Sequence, residues 1–297
     1  MSRLRTLFTA SIAALLAAGT AYAEPKTVMF YGNSFTLGFG STRSVNALFE
    51  DIAVAAGHEA PTVRSAAASG QALGWHVANN TAPLFVTIPL SEDWDFIVMQ
   101  EHSSKLTRAF PGTPGYPESV ENSKADALAL YNIASSRSSG VVPVFYETFA
   151  RNYGHPFYTG SNPEFPGGPQ EMQAEVRAGY EILKNHLNDN IGSDIARVAP
   201  VGTAWEIGDY DRLHSADNWH AQNRGTLLAA LVIYGTVYED LTTSDIDLTS
   251  VLASVNLTAE DGTQLTSWAD SALAIPEPAT AGLLLALGAP VLLCRRH

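Results

Sequence analysis

Short runs of consecutive apolar residues alternate along the chain with longer stretches whose apolar positions recur every three or four residues. Strands buried on both faces read as unbroken apolar runs, and helices that cover them show the longer period, so the alternation predicts a parallel sheet covered by helices. Thr27 to Tyr31, ending in Gly32, reads as a buried first strand, and Pro61 to Ser65 as a weaker one. Asp95 to Met99 and Val141 to Tyr146 read as strong strands, and Ala196 to Pro200 as the last. Helical spacing covers Ser44 to Ala56, Glu118 to Ser135, Gln170 to Asn190 and Ala221 to Tyr238, the last through Leu227, Leu228, Leu231, Val232 and Tyr234. Arg151 to Gln170 is rich in Gly, Pro and aromatic residues and is expected to be a loop, of a length that is more often functional than accidental. Residues 241–274 are rich in Thr, Ser and Asp, and are expected to form a peripheral extension or a stalk with no assigned secondary structure.

Both ends depart from this pattern. Residues 1–23 have Arg3 and Arg5, an apolar run from Leu7 to Ala18, and Ala21-Tyr22-Ala23 as a small-x-small site, which together read as a secretory signal peptide. At the other end, Pro276-Glu277-Pro278 is followed by an apolar stretch, Ala281 to Leu293, and by Arg295-Arg296. Residues 275–297 thus resemble a PEP-CTERM sorting segment with a transmembrane helix and a basic tail. That resemblance implies export in a Gram-negative bacterium, processing by signal peptidase and an exosortase, transient inner-membrane anchoring, and a final place at the cell surface or in the extracellular polysaccharide. The remaining 24–240 is one domain.

Composition narrows the function. Of 297 residues, 17 are Lys or Arg and 30 are Asp or Glu, a formal net charge of −13. Without residues 1–23 and 277–297, Lys+Arg falls by four (Arg3, Arg5, Arg295, Arg296) to 13 and Asp+Glu by one (Glu277) to 29, leaving −16. So acidic a surface repels phosphate backbones and argues against nucleic acid as a partner. The single cysteine, Cys294, excludes an intramolecular disulfide and any cysteine-rich metal centre.

Gly32-Asn33-Ser34 follows the first strand, at the carboxyl end where open α/β sheets place their ligands. Asp217-Asn218-Trp219-His220 precedes the final long helix. A serine hydroxyl is a weak nucleophile at neutral pH; an imidazole must take its proton and a carboxylate must orient that imidazole. A serine after the first strand with an Asp-x-x-His before the last helix resembles the SGNH/GDSL hydrolase superfamily. The resemblance implies a three-layer α/β/α, flavodoxin-like fold, and a catalytic triad of Ser34, Asp217 and His220 that needs no cofactor and no metal. It further implies an oxyanion hole built from the Ser34 amide, from Gly70 after the second strand, and from a third-block donor. That third block departs from the family's Gly-x-Asn-Asp: here it is Gln100-Glu101-His102-Ser103. Gln100 is the preferred donor because an amide donates at any pH, and His102 is the alternative if the strands align without gaps.

The function expected is an exported serine esterase that removes O-acyl, chiefly O-acetyl, groups from carbohydrate or another small ester. Two other readings stand beside it: a weakly active or inactive polysaccharide-binding protein on the same scaffold, and an acyltransferase using the same triad. The spacing of His214, Asp217 and His220 would suit a metal, but the triad accounts for two of the three. His76 and His155 are candidate substrate contacts, with exposed or core-edge positions the simpler reading. Glu147 and Arg151 stand where a cleft is expected, to bind sugar or to brace the loop, and Trp205-Glu206 reads as a core tryptophan beside an exposed glutamate.

Overall fold

The computed structural model describes residues 24–276. In chain order the elements are β1 (Thr27–Tyr31), α1 (Ser34–Leu37), α2 (Val45–Ala55), β2 (Thr62–Ser65), α3 (Leu73–Asn79), α4 (Pro83–Val86) and β3 (Phe96–Met99). They continue with α5 (Glu118–Arg137), β4 (Val142–Tyr146), α6 (Pro169–Ile191), β5 (Arg197–Ala199), α7 (Val201–Ile207), α8 (Asn223–Tyr238), α9 (Thr249–Ser254) and α10 (Ala259–Leu273). The five strands form one sheet in the order β2-β1-β3-β4-β5, and every pairing is parallel. Helices cover both faces: α2 packs on α8, while α3, α5 and α6 pack in succession. This is the α/β/α architecture expected, and it explains why Val28 to Tyr31 and Ile97 to Met99 are wholly buried apolar runs.

The strand order reverses direction beside β1: the chain steps from β1 to β2 on one side and then returns to β3 on the other. The two loops at the carboxyl ends of β1 and β3 therefore diverge and leave a crevice, the usual ligand position in open parallel sheets. Register sets the two loops level, since Tyr31 pairs with Met99 and the Gln100 amide donates to the Tyr31 carbonyl at 2.9 Å.

Helix α8 is buried on nearly all sides, between α2, α7 and α10, which is why its apolar residues exceed a single stripe. Residues 241–274, expected as an extension or a stalk, fold onto this helix. Leu265, Ala269 and Ala272 of α10 are buried, and Gly235 of α8 lies so close to Leu273 that a Cβ there would meet it at 2.4 Å. Arg224 at the start of α8 reaches Asp261 and Gln264 of α10. Among the described residues no helix is long and apolar enough to cross a membrane. The expected signal peptide at 1–23 and, from Glu277 onward, the expected sorting segment at 275–297 lie outside the described residues.

Candidate active site

Ser34 opens α1 directly after the β1 turn. Its position at the first helical residue leaves its N–H among the amides that a helix cannot satisfy internally. Asn33 caps the helix by accepting from Phe35 N at 3.1 Å, and its Nδ2 donates to the Gln71 carbonyl at 3.1 Å, which ties the Gly70 loop to the serine turn. Gly70 has φ +72°, a left-handed conformation that favours glycine, and its surroundings are open. Beneath the turn, Gly32 has no room for a side chain: a Cβ would meet Thr36 Oγ1 at 2.3 Å and Gln100 Oε1 at 2.6 Å. The wholly buried His76 donates from Nε2 to the Gly32 carbonyl at 2.9 Å, while its Nδ1 faces Asn80 Nδ2 at 3.2 Å. His76 thus braces the turn from within the core.

The second half of the site is a tight loop between α7 and α8. His214 and Ala221 form an isolated antiparallel bridge, and Ser215 N donates to the His220 carbonyl at 2.7 Å. Inside this loop Asp217 Oδ1 accepts from Ser215 Oγ, Trp219 N and His220 N at 2.6, 2.8 and 2.9 Å. Asn218 takes φ +59°, which asparagine tolerates better than most residues, and is clamped from β4's loop: Asn152 N donates to its carbonyl and Asn152 Nδ2 to its Oδ1.

These two halves meet. Ser34 Oγ lies 3.0 Å from His220 Nε2, and His220 Nδ1 lies 2.7 Å from Asp217 Oδ2. A carboxylate only accepts, so Nδ1 carries the ring proton and Nε2 is left as the acceptor for the serine hydroxyl. Burial pushes Asp217 upward, but the Ser215 hydroxyl, the His220 ring and the two loop amides outweigh it and hold the carboxyl well below the usual range. It stays ionised at every working pH. The imidazole is flanked by aromatic rings: Phe39 stacks on it at 4.0 Å between centroids and Trp219 at 5.4 Å, with Phe35 edge-on at 5.8 Å.

No family model matches the chain, and no curated protein matches it. Among solved structures it is similar to a candidate SGNH hydrolase from Slackia heliotrinireducens, at 24% identity and TM-score 0.50, over 71% of this chain and 98% of that one. The fold is that of the SGNH hydrolases. Other similar structures are a lipase/acylhydrolase from Enterococcus faecalis (17% identity, TM-score 0.49, 75% and 97% covered) and a family 3 carbohydrate esterase from Clostridium thermocellum (13% identity, TM-score 0.49, 73% and 96% covered).

Within this SGNH fold the third block needs correction. Gln100 does not offer its amide to the oxyanion. It is wholly buried, its Oε1 accepts from Asn33 N at 2.9 Å and Thr36 Oγ1 at 3.1 Å, and its Nε2 donates to the Glu101 carbonyl at 2.6 Å. Its Oε1 is committed to holding the serine turn, and its Nε2 to the backbone that follows β3. His102 stands further out, where Ser104 Oγ lies 3.2 Å from its Nδ1. Burial, reinforced by the charges of Arg151 and Lys105, holds His102 down to about 4, so the ring is neutral and keeps one N–H to donate.

The remaining candidates separate clearly. His214 turns away from the triad: its Nε2 donates to the Ala150 carbonyl at 2.9 Å, and it packs edge-on against Phe149 and Trp205. It is buried rather than at the surface, and it does not join Asp217 and His220 in a ligand set. Trp205 is in the core, stacked on Phe149, and Glu206 pairs with Arg177. Glu147 is buried away from the triad, where it accepts from Gln173 Nε2 at 2.7 Å and Thr203 Oγ1 at 3.1 Å. Arg151 and His155, by contrast, line a cavity of about 450 Å³ with His102, Phe110, Phe157 and Trp219. Trp219 precedes His220 and stacks on it, so this cavity adjoins the Ser34–His220–Asp217 group.

Proposed function

We propose that the protein is a serine esterase cleaving O-acyl esters, with carbohydrate O-acetyl groups as the substrate class. The observation that carries this reading is the continuous relay from Ser34 Oγ to His220 to Asp217 at 3.0 and 2.7 Å. Ser34 Oγ attacks the ester carbonyl while His220 Nε2 takes its proton, and Asp217 stabilises the imidazolium that forms. The carbonyl oxygen becomes an oxyanion facing the Ser34 and Gly70 amides, with His102 as the third donor. Collapse expels the alcohol, protonated by His220, and leaves an acyl-Ser34. Water, deprotonated by His220, then attacks that ester and releases the carboxylic acid and the free serine.

The carbohydrate part of the proposal is supported by half-exposed aromatic rings at the mouth. Phe39 (45% exposed) and Trp219 (39%) lie against the triad histidine, and flat rings of this kind suit the apolar faces of sugars. Export to the cell surface or polysaccharide matrix rests on the residues at 1–23 and 275–297.

A fluorophosphonate probe tests the chemistry: labelling is expected in the wild type and absent in Ser34→Ala and His220→Ala. Acetate release from acetylated xylan and acetylated chitin oligomers tests the substrate class. Absence of both labelling and turnover of p-nitrophenyl acetate would reject the esterase reading.

A further inference from the structure

The cavity beside the triad contains a charge without a counter-ion. Arg151 is 2% exposed, and Nη2 donates to Ser103 Oγ at 2.9 Å. Its Nε and Nη1, both buried, have no hydrogen-bond partner, and no carboxylate among the described residues pairs with it. The charge of Asp217 acts on it, but that carboxylate is committed to His220 and the loop amides. Buried ionic groups are ordinarily paired, because removing a charge from water costs several kcal/mol that a lone charge does not recover. The guanidinium is stacked instead on rings, with its carbon 4.5 Å from the centre of Trp219, 5.6 Å from Phe35 and 5.9 Å from Phe157. Those contacts hold the cation in place without using the directional hydrogen-bonding capacity of its N–H groups.

The rest of the lining sharpens the point. His155 Nδ1 accepts from Phe157 N at 3.2 Å, so its proton is on Nε2. Burial, with the Arg151 charge, holds His155 down to about 4, and His102 is neutral for the same reasons. At neutral pH Arg151 is therefore the one charged side chain in the cavity wall, surrounded by neutral donors and apolar rings. Burial pulls Arg151 itself down to about 9, which still leaves it cationic.

We propose that this cavity receives a carboxylate of the substrate, bound to the Arg151 guanidinium, so that the preferred esters are anionic. The planar fork of N–H donors matches a carboxylate, and the ligand would bring the missing counter-ion. The proposal deepens the esterase reading and rests on it for the word substrate. The carboxylate can sit on either side of the scissile ester. On the alcohol side it belongs to an O-acetylated uronic acid; on the acyl side it belongs to a half-ester of a dicarboxylic acid.

Two measurements on the full chain test this. In the first, kcat/KM is compared within two pairs: p-nitrophenyl acetate against mono-p-nitrophenyl succinate, and an O-acetyl methyl glucoside against the same ester of glucuronic acid. One charged member is expected to exceed its neutral partner at least tenfold, and the pair that shows this identifies the side. Arg151→Met should bring that ratio at least fivefold closer to one, and Arg151→Lys should retain more of it. In the second, glucuronate and monomethyl succinate are titrated into Ser34→Ala while tryptophan fluorescence is followed, since Trp219 covers the guanidinium. A saturable change with one of these anions, absent with methyl glucoside, is expected. Ratios near or below one, together with no saturable anion response, overturn the proposal even where Ser34-dependent turnover of p-nitrophenyl acetate stands. Saturable anion binding without any turnover would instead keep the carboxylate site and reject the esterase reading. Should Arg151→Met fail to fold, the wild-type ratios and the Ser34→Ala titration decide the matter alone.

Discussion

Phe39 lies face to face with His220, the two ring planes 6° apart and their centroids separated by 4.0 Å. The phenyl ring stands in the loop after α1, so the segment that carries the nucleophile also covers its base. A stacked pair of this kind is worth about 0.5–1.5 kcal/mol, which corresponds to a rate factor of about 2–12 if it holds the imidazole in its reactive orientation. Phe39→Ala is expected to lower kcat by about that factor with little change in thermal stability. An unchanged kcat would mean that Asp217 alone orients the ring.

Ser34→Ala and His220→Ala should each reduce kcat by more than about 10³, and Asp217→Asn by about 10²–10⁴, since a wrong tautomer impairs the base without removing it. Steady-state assays on p-nitrophenyl acetate measure this. A tenth or more of wild-type activity in Ser34→Ala would exclude that serine as the nucleophile.

Gln100 and His102 separate by the kind of damage each causes. Gln100→Ala strands the Asn33 amide and the Thr36 hydroxyl without their acceptor. Buried groups left unpaired in this way cost about 1–3 kcal/mol each, so a urea titration should show a loss of about 2–6 kcal/mol along with lower activity. His102→Ala should leave the unfolding midpoint nearly unchanged and lower kcat about 10²-fold, the effect of removing one oxyanion donor. The opposite assignment of the two phenotypes would restore Gln100 as the donor.

Glu147 makes stability depend on pH. Burial pushes its carboxyl up to about 7, against the opposing pull of Arg177, Thr203 and Gln173. In the unfolded chain the group titrates near 4.3. A raised folded-state value means the stabilisation is complete below about pH 4.3 and is lost as the pH rises to about 7. Glu147→Gln should remove this slope and exceed the wild type above pH 7, by at most about 4 kcal/mol. Parallel unfolding curves for the two proteins between pH 4.5 and 8 would show that the carboxyl is ionised throughout.

Much of this arrangement is legible in the residues. Strands of unbroken apolar character, such as Val28 to Tyr31, announce themselves because both faces are buried, and Asp217-x-x-His220 is legible because one loop must deliver both groups. The short helices are not: α4 is a single turn, and α3 has no side-chain cap to mark its start. Helix α10 did carry a signal, the Thr258–Asp261 capping box, hidden within a stretch whose Thr and Ser content suggests a loop. Gln100 was misassigned because a side-chain amide looks the same in sequence whether it faces a substrate or an internal turn. Only its partners decide, and those of its Oε1 come from Asn33 and Thr36, more than sixty residues away. Arg151 gave no warning of its isolation, since a missing counter-ion is a property of the surroundings.

Ser34 and His220, which meet in the site, are 186 residues apart in the chain. Ser34 belongs to the first strand–helix unit, whereas His220 is delivered by the loop entering α8, which must dock on α2 at the far end of the folding sequence. A growing or partly collapsed chain would possess both residues and still be chemically inert. Regain of turnover during refolding should consequently follow the slowest docking event, lagging behind any spectroscopic signal from the early core. On the proposed esterase reading, a stopped assay would serve as a clock for completion of the whole molecule rather than for the formation of its parts.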